Sequence, residues 1–365
     1  MNWKLRMAFI IIAIIIFTAG YAYYFSTTQR LESELVIYTY ESLLKWGDDP
    51  EAVYNAVFKG FEEKYGVTVK VVEFPDARDT LLAVIEEINL YGEPKADIII
   101  GLDNILVEEA KGRGILDRYI PPNIDVIPKD LRDALDPDGY SIPYDYGLIA
   151  FVFDRERIVL EDISLEDFED PALASLLVAE DPSRSSTGIS FLLMEIAFYE
   201  KILGTDWRDW WISVRDYINV QPSWGDAYNI FFTEEANRPI VVSYGTDPAY
   251  SFYFYNSTRY DAVVLSFEGK DYAWLQIEGI SIVKDAPHRK AAEKFVEWFI
   301  SEDVQQYMAL NNWMYPANKN IELPSSYEYA IHPDEVIALN QYLSKQEIRD
   351  NLKDWLKEWI NIMSG

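Results

Sequence analysis

An α/β protein of two lobes, with a ligand cleft between them, is the fold class this sequence predicts, and three observations carry it. Residues 35–101 alternate apolar, strand-like runs with stretches of helical spacing, the βαβ pattern of a mainly parallel sheet. A second strand and helix set runs from about residue 176 to residue 243. At 365 residues the chain exceeds what one small core accommodates and fits about two domains.

The first lobe opens on a buried strand at 35–40, followed by helical spacing over 49–65, an alternating strand at 67–74 and a helix over 79–89. An apolar run at 96–101 ends on a glycine, as a parallel-sheet strand entering a turn does. Ligands in such sheets lie beyond the carboxyl ends of the strands. That rule places Tyr40, Asp76 and Asn104 along one rim. Proline-rich loops over 120–140 lead into Ile142-Pro143-Tyr144-Asp145-Tyr146-Gly147 and an apolar strand at 148–153. The second set comprises a strand at 176–179, a helix from about Ser186, a tryptophan-rich helix over 206–215 and a strand at 240–243. The chain then returns through 275–283, an amphipathic helix over 289–300 and a charged helix over 344–363. The expected division is 35–143 plus 276–365 for the first lobe and 144–275 for the second. Its crossings fall near Tyr144 and Gln276, and two-lobed chains bind ligand in the cleft between lobes.

Residues 1–30 read as a signal peptide or an N-terminal membrane anchor. Lys4 and Arg6 flank an almost wholly apolar run at 7–25, long enough to span a bilayer. The basic end stays cytoplasmic, which puts the body outside the membrane.

The formal net charge is −29, and beyond residue 30 there are 61 acids against 29 bases. Such a surface repels phosphate backbones and offers no basic stripe for counterion release, which argues against nucleic acid. An acidic field concentrates cationic ligands, although solubility or adaptation to salt or heat explains it equally well. The absence of cysteine excludes disulfides, thiolate metal sites and a cysteine nucleophile. With His288 and His332 as the only histidines, a Ser-His-Asp triad or a multi-histidine zinc site is not expected.

Two segments interleave aromatic rings with carboxylates: Trp224-Gly225-Asp226-Ala227-Tyr228 and Ser243-Tyr244-Gly245-Thr246-Asp247-Pro248-Ala249-Tyr250. A flat organic cation would stack on such rings, gain roughly 0.5–2 kcal/mol per cation–π contact, and set its charge against Asp. Aromatics make up 15% of the chain, so core packing competes with this reading.

Taken with Val36-Ile37-Tyr38-Thr39-Tyr40, Ala96 to Asn104, Ile142 to Gly147, Asp181-Pro182 with Ser185-Ser186, and Asn312-Trp313-Met314-Tyr315-Pro316, these segments resemble periplasmic thiamine-binding proteins. Those are soluble receptors of ABC importers within the two-lobed solute-binding superfamily. The resemblance spans most of residues 35–320. It implies a type II periplasmic-binding-protein fold, a monomer without cofactor or catalysis, thiamine or its phosphates as ligand, and an ABC permease as partner. It also implies a pocket lined by Trp224, Tyr244, Tyr250, Tyr40 and Trp313, together with the 244–250 segment that includes Gly245, Thr246, Asp247 and Pro248. Ser185 and Ser186, at a helix start, suit the hydroxyl or phosphate end of the ligand, and serines there also cap helices. Asp76 would meet the aminopyrimidine, but the family's Asp-Gly pair is replaced here by Asp76-Ala77-Arg78-Asp79. Asp247 stands where the family carries small hydroxyl residues, and Arg184, without a basic counterpart, could pair with phosphate.

Two alternatives remain at this level. A ferric-ion receptor of the same fold would use phenolate oxygens, and 26 tyrosines are present. An extracellular carbohydrate-active enzyme would also combine carboxylates with aromatic platforms, though no local pattern singles out an acid and a base.

Overall fold

The computed structural model describes residues 31–365; the export segment expected at 1–30 lies outside them. Strand β1 (Glu34–Tyr40) lies parallel to β2 (Thr68–Phe74). Between them, residues 50–65 form two α-helical stretches, Pro50–Tyr54 and Gly60–Tyr65, joined by a wider π-helical stretch at Asn55–Lys59. That arrangement brings both Phe58 and Phe61 against Phe295, at 6.0 and 5.0 Å between ring centroids.

Helix α1 (Ala77–Tyr91) starts two residues before the sequence suggests, because Asp76 and not Asp79 is its N-cap. The Asp76 carboxylate accepts the Arg78 N–H at 3.0 Å, and Asp79 is left in the first turn, where a negative charge complements the helix dipole. Strand β3 (Ile98–Asp103), wholly buried, pairs parallel with β1.

Strand β4 (Ile142–Asp154) runs for 13 residues, far beyond the expected 148–153. After it come β5 (Leu177–Glu180), α2 (Ser186–Ala197), α3 (Trp207–Val214), β6 (Asn219–Gln221), α4 (Trp224–Phe232), β7 (Ile240–Tyr244), α5 (Asp247–Tyr255) and β8 (Tyr260–Val263). The chain returns along β9 (Leu275–Val283) and continues through α6 (Arg289–Phe299) to α7 (Lys345–Met363). Hydrogen-bonded neighbours follow the order β2-β1-β3-β9-β4-β7-β5-β6. The first part of β4 pairs antiparallel with β9 and its last part antiparallel with β7. One long strand thus belongs to both halves of the molecule, which gives the two-lobed α/β form with a cleft at the crossing.

Helix α2 is buried along its whole length, as an apolar sequence without a polar face demands. On α3, Trp207, Trp210 and Trp211 are fully buried, and the indole of Trp211 donates to Glu195 at 2.6 Å. Helix α7 turns its apolar stripe, Ile348, Leu352, Trp355, Leu356 and Trp359, inward. It reaches elements of both halves: Trp359 meets Trp211 edge-on at 5.5 Å, while Arg349 pairs with Glu108 at 3.0 Å.

A small sheet of Leu265–Phe267, Lys270–Ala273 and Ile337–Ala338 was not foreseen. Its hairpin turns on Glu268 and Gly269, both at positive φ, a weaker signal than the Asn-Gly pair that marks such turns. No helix among the described residues is long and apolar enough to cross a membrane.

Candidate functional site

The carboxyl ends of β1 and β2 and the N-termini of α2, α4 and α5 face one another across a cavity of about 780 Å³, open to solvent. Aromatic rings stand on both of its walls, Tyr40 and Trp46 on one and Trp224, Tyr244 and Tyr250 on the other.

Trp224 opens α4, which Ser223 caps by accepting the Asp226 N–H at 3.2 Å. Its indole donates to Ser243 Oγ at 2.9 Å, and its ring stacks on Tyr228 at 4.7 Å. Tyr244 ends β7, with its hydroxyl 3.3 Å from Thr187. Tyr250, one turn into α5, packs edge-on against Trp313 at 5.2 Å. Asp247 lies in the first turn of α5 and accepts the Tyr228 hydroxyl at 3.0 Å. Burial pushes the Asp247 carboxyl up to about 7, despite hydrogen bonds from Ser243 and Tyr228 that oppose the rise.

From the opposite wall, the Tyr40 hydroxyl donates to Glu278 at 2.8 Å and receives the Asn312 amide at 3.0 Å. Gly101 makes room for that ring: its φ is +110°, and a Cβ there would fall 2.6 Å from the Tyr40 ring. Asp76 spans the cleft. Besides capping α1, its Oδ1 accepts the Ser186 N–H at 3.0 Å. Burial raises the Asp76 carboxyl to about 6, against the pull of the Arg78 and Ser186 N–H groups.

Of the residues singled out from sequence, Tyr40, Asp76, Ser186, Trp224, Tyr244, Asp247, Tyr250 and Trp313 meet at this cavity. Ser185, Gly245, Thr246 and Pro248 stand behind it. Ser185 caps α2 through Gly188 N–H. Gly245 packs against Ile331 and joins it by a 2.8 Å backbone bond, Pro248 is buried in the first turn of α5, and buried Thr246 donates to the Trp313 carbonyl at 2.5 Å. Trp313 has φ 53°, a left-handed conformation costly for a bulky residue, and the Thr246 bond helps hold it there. Arg184 is exposed and does not line the cavity.

Among the other lining residues, Trp46, Glu278 and Asn312 were given no role from the sequence. Trp46, on the segment after β1, sets its ring against Trp224 at 5.3 Å, Tyr228 at 6.1 Å and Tyr250 at 6.3 Å, and its carbonyl accepts the Trp313 indole at 2.9 Å. Its only signal was a tryptophan-glycine pair shortly after the Tyr40 rim. Glu278 and Asn312 were hidden because a carboxyl or amide in an apolar strand or a helix end carries no periodic signal.

The lining contains three carboxyl groups, Asp76, Asp247 and Glu278, and no lysine, arginine or histidine. With stacked and edge-on rings around them, these groups define a receptor cleft for a small, positively polarised solute. Residues 93–332 match the family of bacterial extracellular solute-binding proteins, and the chain belongs to that family. It is 29% identical over 338 residues to the thiamine-binding periplasmic protein of Brucella melitensis, covering 91% of this chain and 92% of the relative. The protein of that description from Escherichia coli K12 is 27% identical over 90% and 93% of the two chains. A solved periplasmic thiamin binding protein superposes with a TM-score of 0.75 at 25% identity, over 91% of this chain and 96% of that one.

Proposed function

We propose that this protein is an extracytoplasmic thiamine receptor that hands its ligand to an ABC permease, by binding and without catalysis. The observation that carries the reading is the cleft lining, aromatic on both walls and acidic with no basic side chain. An aminopyrimidine and a thiazolium cation need that combination, and the thiamine-binding relatives align over nine-tenths of the chain. The proposed lobes are 35–143 with 276–365 and 144–275, hinged at β4 and β9, and closure is a population shift driven by contacts to both. Binding as a monomer, and tethering through an uncleaved segment at 7–25, belong to the same reading.

A phosphate at the α2 N-terminus would have to displace Asp76 from the Ser186 N–H. Free thiamine is therefore the preferred form expected. The ferric alternative has less support. The hydroxyls of Tyr40 and Tyr144 are hydrogen-bonded to Glu278, and burial beside carboxyls holds both phenols well above their ordinary value. Among the described residues, no group of three His, Cys, Asp or Glu side chains is placed to hold a metal.

Calorimetry with thiamine, its mono- and diphosphate, and ferric ion tests the proposal. Binding of free thiamine with the largest affinity is expected. No heat with any thiamine form would sink the reading, and visible charge-transfer colour on adding iron would revive its rival.

A further inference from the structure

Three carboxyl groups form a row across three adjacent strands at the crossing between the lobes. Glu278 on β9 is the register partner of Asp103 on β3 and of Asp145 on β4, and directly opposed residues of antiparallel strands project to the same face. Asp103 and Asp145 are fully buried and Glu278 is 6% exposed. Only Glu278 of the three lines the cavity.

Asp145 and Glu278 are directly opposed on neighbouring strands and bridged by polar groups, since Asn312 donates to Asp145 and to Tyr40, which donates to Glu278; two buried carboxyl groups set side by side without a cation favour keeping one proton between them. The groups around them do not replace it with a cation. Tyr40 from β1 and Tyr144 from β4 donate to Glu278 Oε2, at 2.8 and 2.5 Å, and Gln276 from β9 reaches Oε1 at 3.4 Å. Asn312 donates to Asp145 Oδ2 at 2.5 Å, leaving Oδ1 without a protein partner. Asp76 from the start of α1 and Asp103 add negative charge, and the phenols of Tyr244 on β7 and Tyr327 feel the same field. No ion pair among the described residues involves either carboxyl. Burial and the neighbouring charge accordingly push both members of the pair up from the usual carboxylate range.

We propose that Asp145 and Glu278 are the cation-selecting floor of the cleft, holding one shared proton when it is empty and releasing it to solvent when a cationic ligand settles on Glu278. The ligand's charge replaces the proton's. A neutral solute of the same shape leaves the proton in place and forgoes that attraction. Binding of a cation is then linked to pH, and affinity rises by up to about tenfold per pH unit while the free pair stays protonated.

The inference rests on thiamine being the ligand, and the experiment separates the two. Thiamine is titrated by calorimetry near pH 8, where Asp76 and Asp247 are largely ionised, in buffers of different ionisation enthalpy. Wild type is expected to release about one proton more than Asp145→Asn. In that variant Glu278 has no second carboxyl with which to share a proton, so its affinity for thiamine should rise less steeply with pH than that of wild type. A purely structural role for Asp145 predicts weaker binding at every pH. Infrared spectra of the ligand-free proteins should show protonated-carboxyl absorption that is weaker in Asp145→Asn than in wild type. Equal proton release from both proteins overturns the linkage and leaves the thiamine reading standing. An unchanged infrared band overturns the shared proton whether or not thiamine binds. No heat with thiamine overturns both the receptor reading and the linkage.

Discussion

The Asp76 carboxylate accepts the Ser186 N–H at 3.0 Å while capping its own helix through the Arg78 N–H at the same distance. One side chain from the rim after β2 therefore serves the N-termini of two helices on opposite walls of the cleft, α1 and α2. Both dipoles favour its negative charge, and burial opposes it. Asp76→Ala should lower stability by about 1 kcal/mol through the lost cap and loosen the contact between the walls. Small-angle scattering of the ligand-free variant is expected to give a larger radius of gyration than wild type; an unchanged radius would mean that other contacts hold the cleft shut.

Trp46 and Trp224 touch across the cleft mouth at 5.3 Å between centroids. Thiamine entering between the walls must alter that pair, so intrinsic fluorescence should fall on binding. Replacing Trp224 or Tyr250 by Ala should weaken thiamine by roughly 1–3 kcal/mol if the ring is a stacking anchor. Trp46→Ala should remove a large part of the fluorescence change. A full-sized change in that variant would place the ligand elsewhere.

Asp247 gives a pH-dependent stability with a definite sign. In the folded protein it keeps its proton up to about pH 7, whereas an unfolded chain releases it near 3.9. The folded state binds more protons between these values, so this group makes the protein less stable as pH rises from about 4 to about 7, with the full penalty above that. Asp247→Asn removes the penalty. Ligand-free wild type and variant should melt alike near pH 4, and the variant should melt progressively higher toward pH 8. A gap that shrinks with rising pH would contradict the assignment.

Gly101 sits under Tyr40 at φ +110°. Gly101→Ala should cost about 2 kcal/mol or more, from backbone strain and from collision with the ring. Because Tyr40 anchors Glu278, thiamine binding should weaken as well. Urea unfolding and calorimetry on the same preparation check the two effects, and a variant of wild-type stability would show that the ring moves freely.

Periodicity and composition by themselves determined the α/β class, the strands at 35–40, 67–74, 96–101 and 240–243, the amphipathic helices, and an acidic, aromatic chain suited to a cation. Those features are local: each follows from the side chains of one segment and the period of its backbone. The tertiary structure alone decided which groups face each other. It stretched β4 to 13 residues, because a strand hydrogen-bonded to β9 at one end and β7 at the other is stabilised through Pro143 and Gly147, which weaken a strand read in isolation. It moved Thr246, Gly245, Pro248 and Ser185 behind the cleft and brought Trp46 into it, since the side a residue faces depends on partners far away in sequence. And it joined Glu278 to Asp145 across 133 residues of chain. Nothing within either segment could reveal that contact, since two carboxyl groups interact through space and through the low polarity around them.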